Sequence, residues 1–450
     1  MANPTSIDGV HVDVHEHPQT SPGARGINAR DADISPGEIA IGVVIGRASE
    51  YFDFFVYAIA SALVFPSVFF PYDSRLDGTL YAFAIFALAF VARPIASVAF
   101  MAVQHHFTRE VKLTLALLIM GVSTAGIAFL PDYASLGTWS IVILSILRIG
   151  QGVAQGGSWD GLPSLLALNA PENKRGWYAA IGQLGAPIGF IIAAGLFAYM
   201  LTNLSQLDFL DWGWRYPFYV AFAINVVALF ARLRLVTTHE YSHLLDEHQL
   251  DPVPVGELMS TQARNVIIGA LAALASYALF HLVTVFPLSW ISLTSQRSLA
   301  GFLQVQMVGA VLMTIGIIIS GFVADRYGRR RTLGTLATMI GIFSLFAHFL
   351  IGLNETGQDA FILIGFALLG LSYGQAAGAV TANFPQRYRY TGAALTSDFA
   401  WLVGAGFAPL VALGVASNFG LAYVGVYLLS GAASSLAALS INRAWNIRDN

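Results

Sequence analysis

Apolar positions in this chain come in long runs, unlike the short alternating stretches or narrow helical faces of a soluble domain. A helix crossing a bilayer needs about 20 mainly apolar residues. Twelve stretches meet that requirement, at roughly 39–64, 79–102, 113–131, 138–168, 177–201, 214–234, 265–290, 300–323, 332–353, 360–384, 392–417 and 420–441. Most of the connections between them are short. Residues 235–264 break the rhythm: they are polar, carry His239, Glu240, Asp246, Glu247 and Asp251, and separate six spans from six. The pattern predicts an all-α membrane protein of twelve transmembrane helices in two pseudo-symmetric six-helix bundles. The bundles occupy 38–234 and 265–441, the linker 235–264. Residues 1–37 are polar, have no apolar run and so no signal-peptide core, and read as a disordered tail, with 442–450 a second tail.

Composition sharpens this picture. The chain is 56% hydrophobic and 11% charged, against about 25% charged in a soluble domain. A net charge of −3 offers no nucleic-acid surface, and the absence of Cys excludes disulfides and thiolate metal sites. The 43 glycines suit closely packed helices. No metal-ligand spacing, nucleophile elbow or phosphate loop appears, so neither an enzyme nor a cofactor is expected. His11, His15 and His17 in the tail could hold a metal, but a solvated tail is the simpler reading.

Basic residues set the orientation. With both termini cytoplasmic, the inner segments hold seventeen of them, from Arg25 and Arg30 through Arg326, Arg329, Arg330 and Arg331 to Arg448, and the outer segments three, Arg75, Arg215 and Arg297. Arg47, Arg93 and Arg148 lie within spans. The expected protein is multi-pass and integral to a membrane, with a bacterial inner membrane as the expected location. A weak repeat joins the halves: Gly321–Arg331 echoes Met101–Val111 at an offset of 321 − 101 = 220, and Pro409 echoes Pro187 at 409 − 187 = 222. Repeats of this kind place a substrate site between the halves near the bilayer midplane.

Gly321, Asp325, Arg326, Gly328, Arg329 and Arg330 form a Gly-x-x-x-Asp-Arg-x-Gly-Arg-Arg pattern that resembles the signature loop of the major facilitator superfamily. Four further stretches resemble its metabolite:proton symporter branch: Glu50–Tyr57 (EYFDFFVY), Arg93-Pro94, Leu147–Trp159 with Gly182–Gly189, and Asn383–Gly392. The resemblance covers about residues 38–441 and implies proton-coupled transport by alternating access, with a small anionic or zwitterionic metabolite and protons as partners. It also implies gating by Asp325, Arg326 and Arg329. Three positions depart from the pattern. His105 and His106 stand where Asp and Arg are expected, Ser158 replaces an acid while Asp160 appears nearby, and Asp398 replaces Asn.

Ionisable residues inside a membrane cost about 2.5–3.5 kcal/mol each and need a reason. Arg47, Glu50 and Asp53 lie roughly 13 to 22 Å from the inner end of the first span. Either carboxylate could carry the coupled proton; Asp53, farther from Arg47, is the preferred candidate and Glu50 the second. Tyr51 and Tyr57 share that span. On the fourth span Arg148, Gly152, Gln155 and Trp159 fall on one face, with Gln151 beside it. A guanidinium there suits an organic anion, although Arg148 could instead pair with Glu50 or Asp53. The expected substrate-binding set is therefore Arg148, Gln151, Gln155, Trp159, Tyr51 and Tyr57. Asp398 and Asp160 are expected at an inner gate, Arg93 in a structural pair, and His281 and His348 as neutral core histidines. Gly182, Gly185 and Gly189 make a small-residue packing face that Pro187 bends. The leading function is symport of a small organic acid by a monomer. An uncoupled facilitator or exporter and a non-transporting solute sensor are the alternatives.

Overall fold

The computed structural model describes residues 36–103, 109–158, 174–236, 252–381 and 384–441. Every described element is helical, and all of them lie in one unit. The twelve spans are α1 (Pro36–Leu63), α2 (Arg75–Val103), α3 (Arg109–Ala128), α4 (Thr138–Gly157), α5 (Arg175–Asn203) and α6 (Tyr216–Val236), then α7 (Val255–Thr294), α8 (Leu299–Tyr327), α9 (Arg329–Gly352), α10 (Glu355–Thr381), α11 (Arg389–Phe419) and α12 (Ala422–Ile441). Among the described residues nine of them are long and apolar enough to cross a bilayer on length and composition alone. The other three are α1, α4 and α6.

The halves are built alike. In the first, α1 packs on α5 and α6, α2 on α4, and α3 on α4 and α6. In the second, α7 packs on α11 and α12, α8 on α10, and α9 on α10 and α12. Prolines bend equivalent spans at equivalent places, because a proline has no N–H to donate and its ring crowds the carbonyl four residues back. Pro187 follows a 3₁₀ turn over Gly182–Leu184, and Pro409 follows a π turn over Leu402–Gly406. A second pair is equally exact in register. Val64-Phe65-Pro66 breaks α1 before a short helix, Phe65–Phe69, and Val285-Phe286-Pro287 breaks α7, an offset of 287 − 66 = 221. At the α7 break the freed carbonyls of Val283 and Thr284 each accept from Gln306 Nε2 of α8 at 2.9 Å, which keeps them satisfied away from water.

Two differences from the sequence reading concern the end of the bundle that carries the signature pattern, hereafter the near end. The first is that α7 starts at Val255, ten residues earlier than hydropathy places it, so the expected linker 235–264 gives up its last turns to a helix. Glu257, Gln262 and Arg264 hide this start from a hydropathy count. Leu258 and Val266 nonetheless bury against Val43, Met101 and Phe384. The second is that the signature pattern is not an exposed loop. α8 runs through Tyr327 and α9 begins at Arg329, leaving Gly328 at φ +84° as the whole turn. A side chain would be strained at that angle, and glycine is not.

Candidate functional site

Where the two halves meet, side chains from both form a buried aromatic centre. Phe54 of α1 touches Phe86 and Phe90 of α2, His281 of α7 and Trp401 of α11, with ring centroids 5.3–6.2 Å apart. Phe55 stacks on Phe280 at 5.6 Å, and the hydroxyls of Tyr51 and Tyr373 are hydrogen-bonded across the halves. Ring edges meeting ring faces give such a cluster more than area burial alone.

Arg148 reaches into this centre from α4 and is 1% exposed. Its Nε donates to the Phe86 carbonyl at 3.2 Å and its Nη1 to Gln151 Oε1 at 2.9 Å. The guanidinium lies over the rings of Tyr57 at 4.0 Å and Phe86 at 4.7 Å. A flat, delocalised cation between aromatic faces is well matched there. Nη2 has no partner, and neither does the Tyr57 hydroxyl. Asp53, also 1% exposed, accepts from Thr124 Oγ1 at 2.7 Å and from Gln151 Nε2 at 3.4 Å. Gln151 Nε2 also donates to Thr124 Oγ1 at 3.0 Å. Arg148 and Asp53 are thus joined through one amide.

This arrangement separates the two expected proton carriers. Glu50 pairs with Arg47 at 3.0 Å and takes a 3.4 Å contact from Ser158 Oγ, both partners being about a fifth exposed. Asp53 is the deeper carboxylate. The face expected to run from Arg148 to Trp159 turns toward α2 at Gly152, which lies against the backbone of Ala89. Gln155 is half-buried, and Trp159 and Asp160 lie outside the described residues, as do His105 and His106.

The near end is closed by ties between the halves. Arg93 of α2 donates through Nε to Asp398 of α11 at 2.6 Å, and Ser97 Oγ donates to the same carboxylate at 2.5 Å. Asp325 of α8 accepts from the backbone N–H of Gly176 at 2.6 Å and of Trp177 at 3.2 Å, at the first turn of α5. A carboxylate there also meets the positive end of the helix dipole. Gln375 of α10 donates to the Gly176 carbonyl at 3.2 Å, and Trp177 stacks on Phe322 at 5.0 Å. Lys112 of α3 donates to the Tyr390 hydroxyl of α11 at 3.2 Å. Arg326 is exposed over Tyr327, and Arg329 donates to the Gly378 carbonyl of α10 at 3.1 Å. Sequence reading singled out Asp325 and Asp398 but not Gly176, Trp177 or Ser97 as their partners, and it expected Arg93 in a structural pair without naming Asp398 as the other member. At the opposite, far end a cavity of about 490 Å³ lies between the halves, lined by Ser67, Arg75, Gln206, Phe209, Gln296 and Arg297 among others.

The pattern described as Major Facilitator Superfamily matches residues 43–409. The chain is 35% identical over 411 residues to the inner membrane metabolite transport protein YhjE of Escherichia coli, covering 90% of this chain and 93% of that protein. It is 30% identical over 404 residues to the E. coli shikimate transporter, covering 87% and 91%. Its fold superposes on the proton:xylose symporter XylE bound to 6-bromo-6-deoxy-D-glucose with a TM-score of 0.68 at 17% identity, covering 90% and 94%.

Proposed function

The chain belongs to the major facilitator superfamily, as an integral multi-pass membrane protein that transports metabolites and is not an enzyme, and from that premise we propose that it is a proton-coupled importer of a small organic acid. One observation carries the reading. A buried arginine in the centre of the molecule keeps one nitrogen unpartnered, and a single amide ties it to a buried carboxylate. The free Nη2 is a donor for an anion, and the low local dielectric strengthens any such contact. Asp53 is the proton carrier. Arrival of an anion at Arg148 and of a proton at Asp53 both change the charge balance across Gln151, so each favours the other. Glu50, held by Arg47, is structural.

The near end is cytoplasmic, as the seventeen-to-three bias of basic residues requires. The ties at Asp325 and Asp398 then form the inner gate, and the far-end cavity is the outer vestibule of an outward-facing state. Alternating access breaks these ties and closes the vestibule while the central site stays in place.

Uptake by purified protein in proteoliposomes tests the reading, with labelled shikimate, benzoate and succinate as probes. An organic acid should accumulate above its equilibrium level only under an inward proton gradient. Equal uptake without the gradient would make the protein a facilitator. Binding without flux would make it a sensor.

A further inference from the structure

Three polar atoms in the aromatic centre are buried and unpartnered: Arg148 Nη2, the Tyr57 hydroxyl and His281 Nε2. The first two belong to the first half of the molecule and the third to the second half. They sit around shared rings. The Arg148 guanidinium is 4.7 Å from the Phe86 ring and 5.9 Å from Phe54. His281 stacks on Phe54 at 5.3 Å and meets Phe86 edge-on at 5.5 Å. Buried polar groups are normally satisfied, so three placed around the same rings and contributed by both halves point to a shared ligand.

The hydrogen-bond chain beneath His281 fixes what that ligand must offer. Thr284 Oγ1 donates its only proton to the Phe280 carbonyl at 2.8 Å. Its 3.4 Å contact with His281 Nδ1 can therefore only be one in which Nδ1–H donates. The neutral imidazole then carries its proton on Nδ1 and leaves a buried, unpartnered lone pair at Nε2. Arg148 offers donors only, and Tyr57 offers a hydroxyl that can donate. A ligand spanning the site needs an anionic acceptor at one end and a hydroxyl donor at the other. Between them stand Phe54, Phe86 and Phe90, whose flat faces suit a compact cyclic body.

We propose that His281 reads a hydroxyl group on the substrate, and that the substrate class is a small cyclic hydroxy-carboxylate bridging the two halves. This rests on Arg148 recognising the carboxylate and adds the group at the other end. Both halves contact one molecule, so its binding also draws them together.

Titration calorimetry on the full chain in lipid nanodiscs, with 3-hydroxybenzoate, 4-hydroxybenzoate and benzoate, tests the inference. The better hydroxy acid should bind at least about tenfold tighter than benzoate, because benzoate leaves Nε2 unpaired. In His281→Phe that preference, read as the ratio of hydroxy acid to benzoate affinity, should vanish, since a phenyl ring offers no acceptor. A purely packing role for His281 would weaken all three acids alike. Thr284→Val frees the proton to move to Nε2 without altering the ring, and should narrow the preference at least about threefold. It supplies the answer if His281→Phe does not fold. Arg148→Lys should weaken all three acids at least about tenfold, through loss of the guanidinium fork. Failure of any ring acid to bind, absence of a hydroxyl preference, or its survival in either α7 variant overturns the inference. Parent-like affinity in Arg148→Lys instead overturns the anion reading on which it rests.

Discussion

Gln151 commits both ends of its amide, the carbonyl to Arg148 and the nitrogen to Thr124 and Asp53. The sequence places it beside the Arg148 face and so among the expected substrate contacts, but its polar atoms are directed to protein partners. Gln151→Leu would strip one hydrogen bond from a buried cation and one from a buried carboxylate. Each group left short costs about 1–3 kcal/mol, so the variant should melt well below the parent in detergent and lose coupling. A parent-like melt with coupled uptake would show that the amide relays nothing. Asp53→Asn keeps the shape and removes the charge. Gradient-driven accumulation should disappear while exchange of substrate across the membrane persists, measured in preloaded vesicles. Equal loss of both activities would mark Asp53 as structural. The Arg47–Glu50 pair was readable from the chain, since the two stand three residues apart on one helix, but the chain left both carboxylates open as proton carriers. The role of Thr124 was not readable, because it reaches Asp53 from another span, 71 residues away.

At the scale of helices, the first turn of α5 packs tightly against α8 on the near side. A Cβ at Gly176 would lie 2.8 Å from both the Gly321 carbonyl and Asp325 Oδ1, and 2.9 Å from the Ala324 Cβ. Gly176→Ala should therefore push α5 away from α8. Overpacking of this kind costs about 1–3 kcal/mol, which shifts the population toward near-end-open states by roughly 5- to 150-fold. Distances between spin labels on the near ends of α5 and α8 would report it. Unchanged distances would show that α5 adjusts without opening. Asp325→Asn removes the carboxylate from the same turn, and should open the near end by a smaller factor, about 0.3–1 kcal/mol for a charge at a helix terminus. The element-level symmetry was partly visible beforehand in the Ala-Pro pair at 186–187 and 408–409. Val-Phe-Pro at 64–66 and 285–287 is a second register marker of the same repeat. Its meaning as a matched break emerges only when both spans are seen to kink there.

Across the whole molecule, Arg93 and Asp398 form a charged lock between halves that are also joined by neutral and charge-assisted hydrogen bonds at Tyr51, Lys112 and Gly176 and by apolar packing. Asp398 is buried and Arg93 mostly so, and removing one member leaves the other charge uncompensated, at up to about 3–5 kcal/mol. Because the pair bridges two bundles, separating them relieves that cost without unfolding either. Arg93→Met alone and Asp398→Leu alone should thus each favour the near-end-open state strongly, whereas the double variant should recover most of the closed population. Spin-label distances between α2 and α11 would measure the cycle. A double variant as open as the single ones would show that the ion pair itself, and not the avoidance of a lone buried charge, holds the gate.

The sequence by itself determined the properties that depend on residues near one another in the chain. Runs of apolar residues set the number of spans, basic residues at span ends favour one orientation, and the glycine and prolines at 328, 187 and 409 mark turns and bends. It also marked Arg148 and Asp53 as needing an explanation, because a charge inside a membrane is costly wherever the span packs. Only the tertiary structure decided who meets whom across the halves. Arg93 meets Asp398 over a separation of 305 residues, Asp325 meets Gly176 over 149, and His281 faces the same rings as Arg148. The physical reason is that lipid is as apolar as a protein interior. The side of a span that faces a partner therefore carries no hydropathic mark, and small changes in helix rotation, set by packing, choose the contacts.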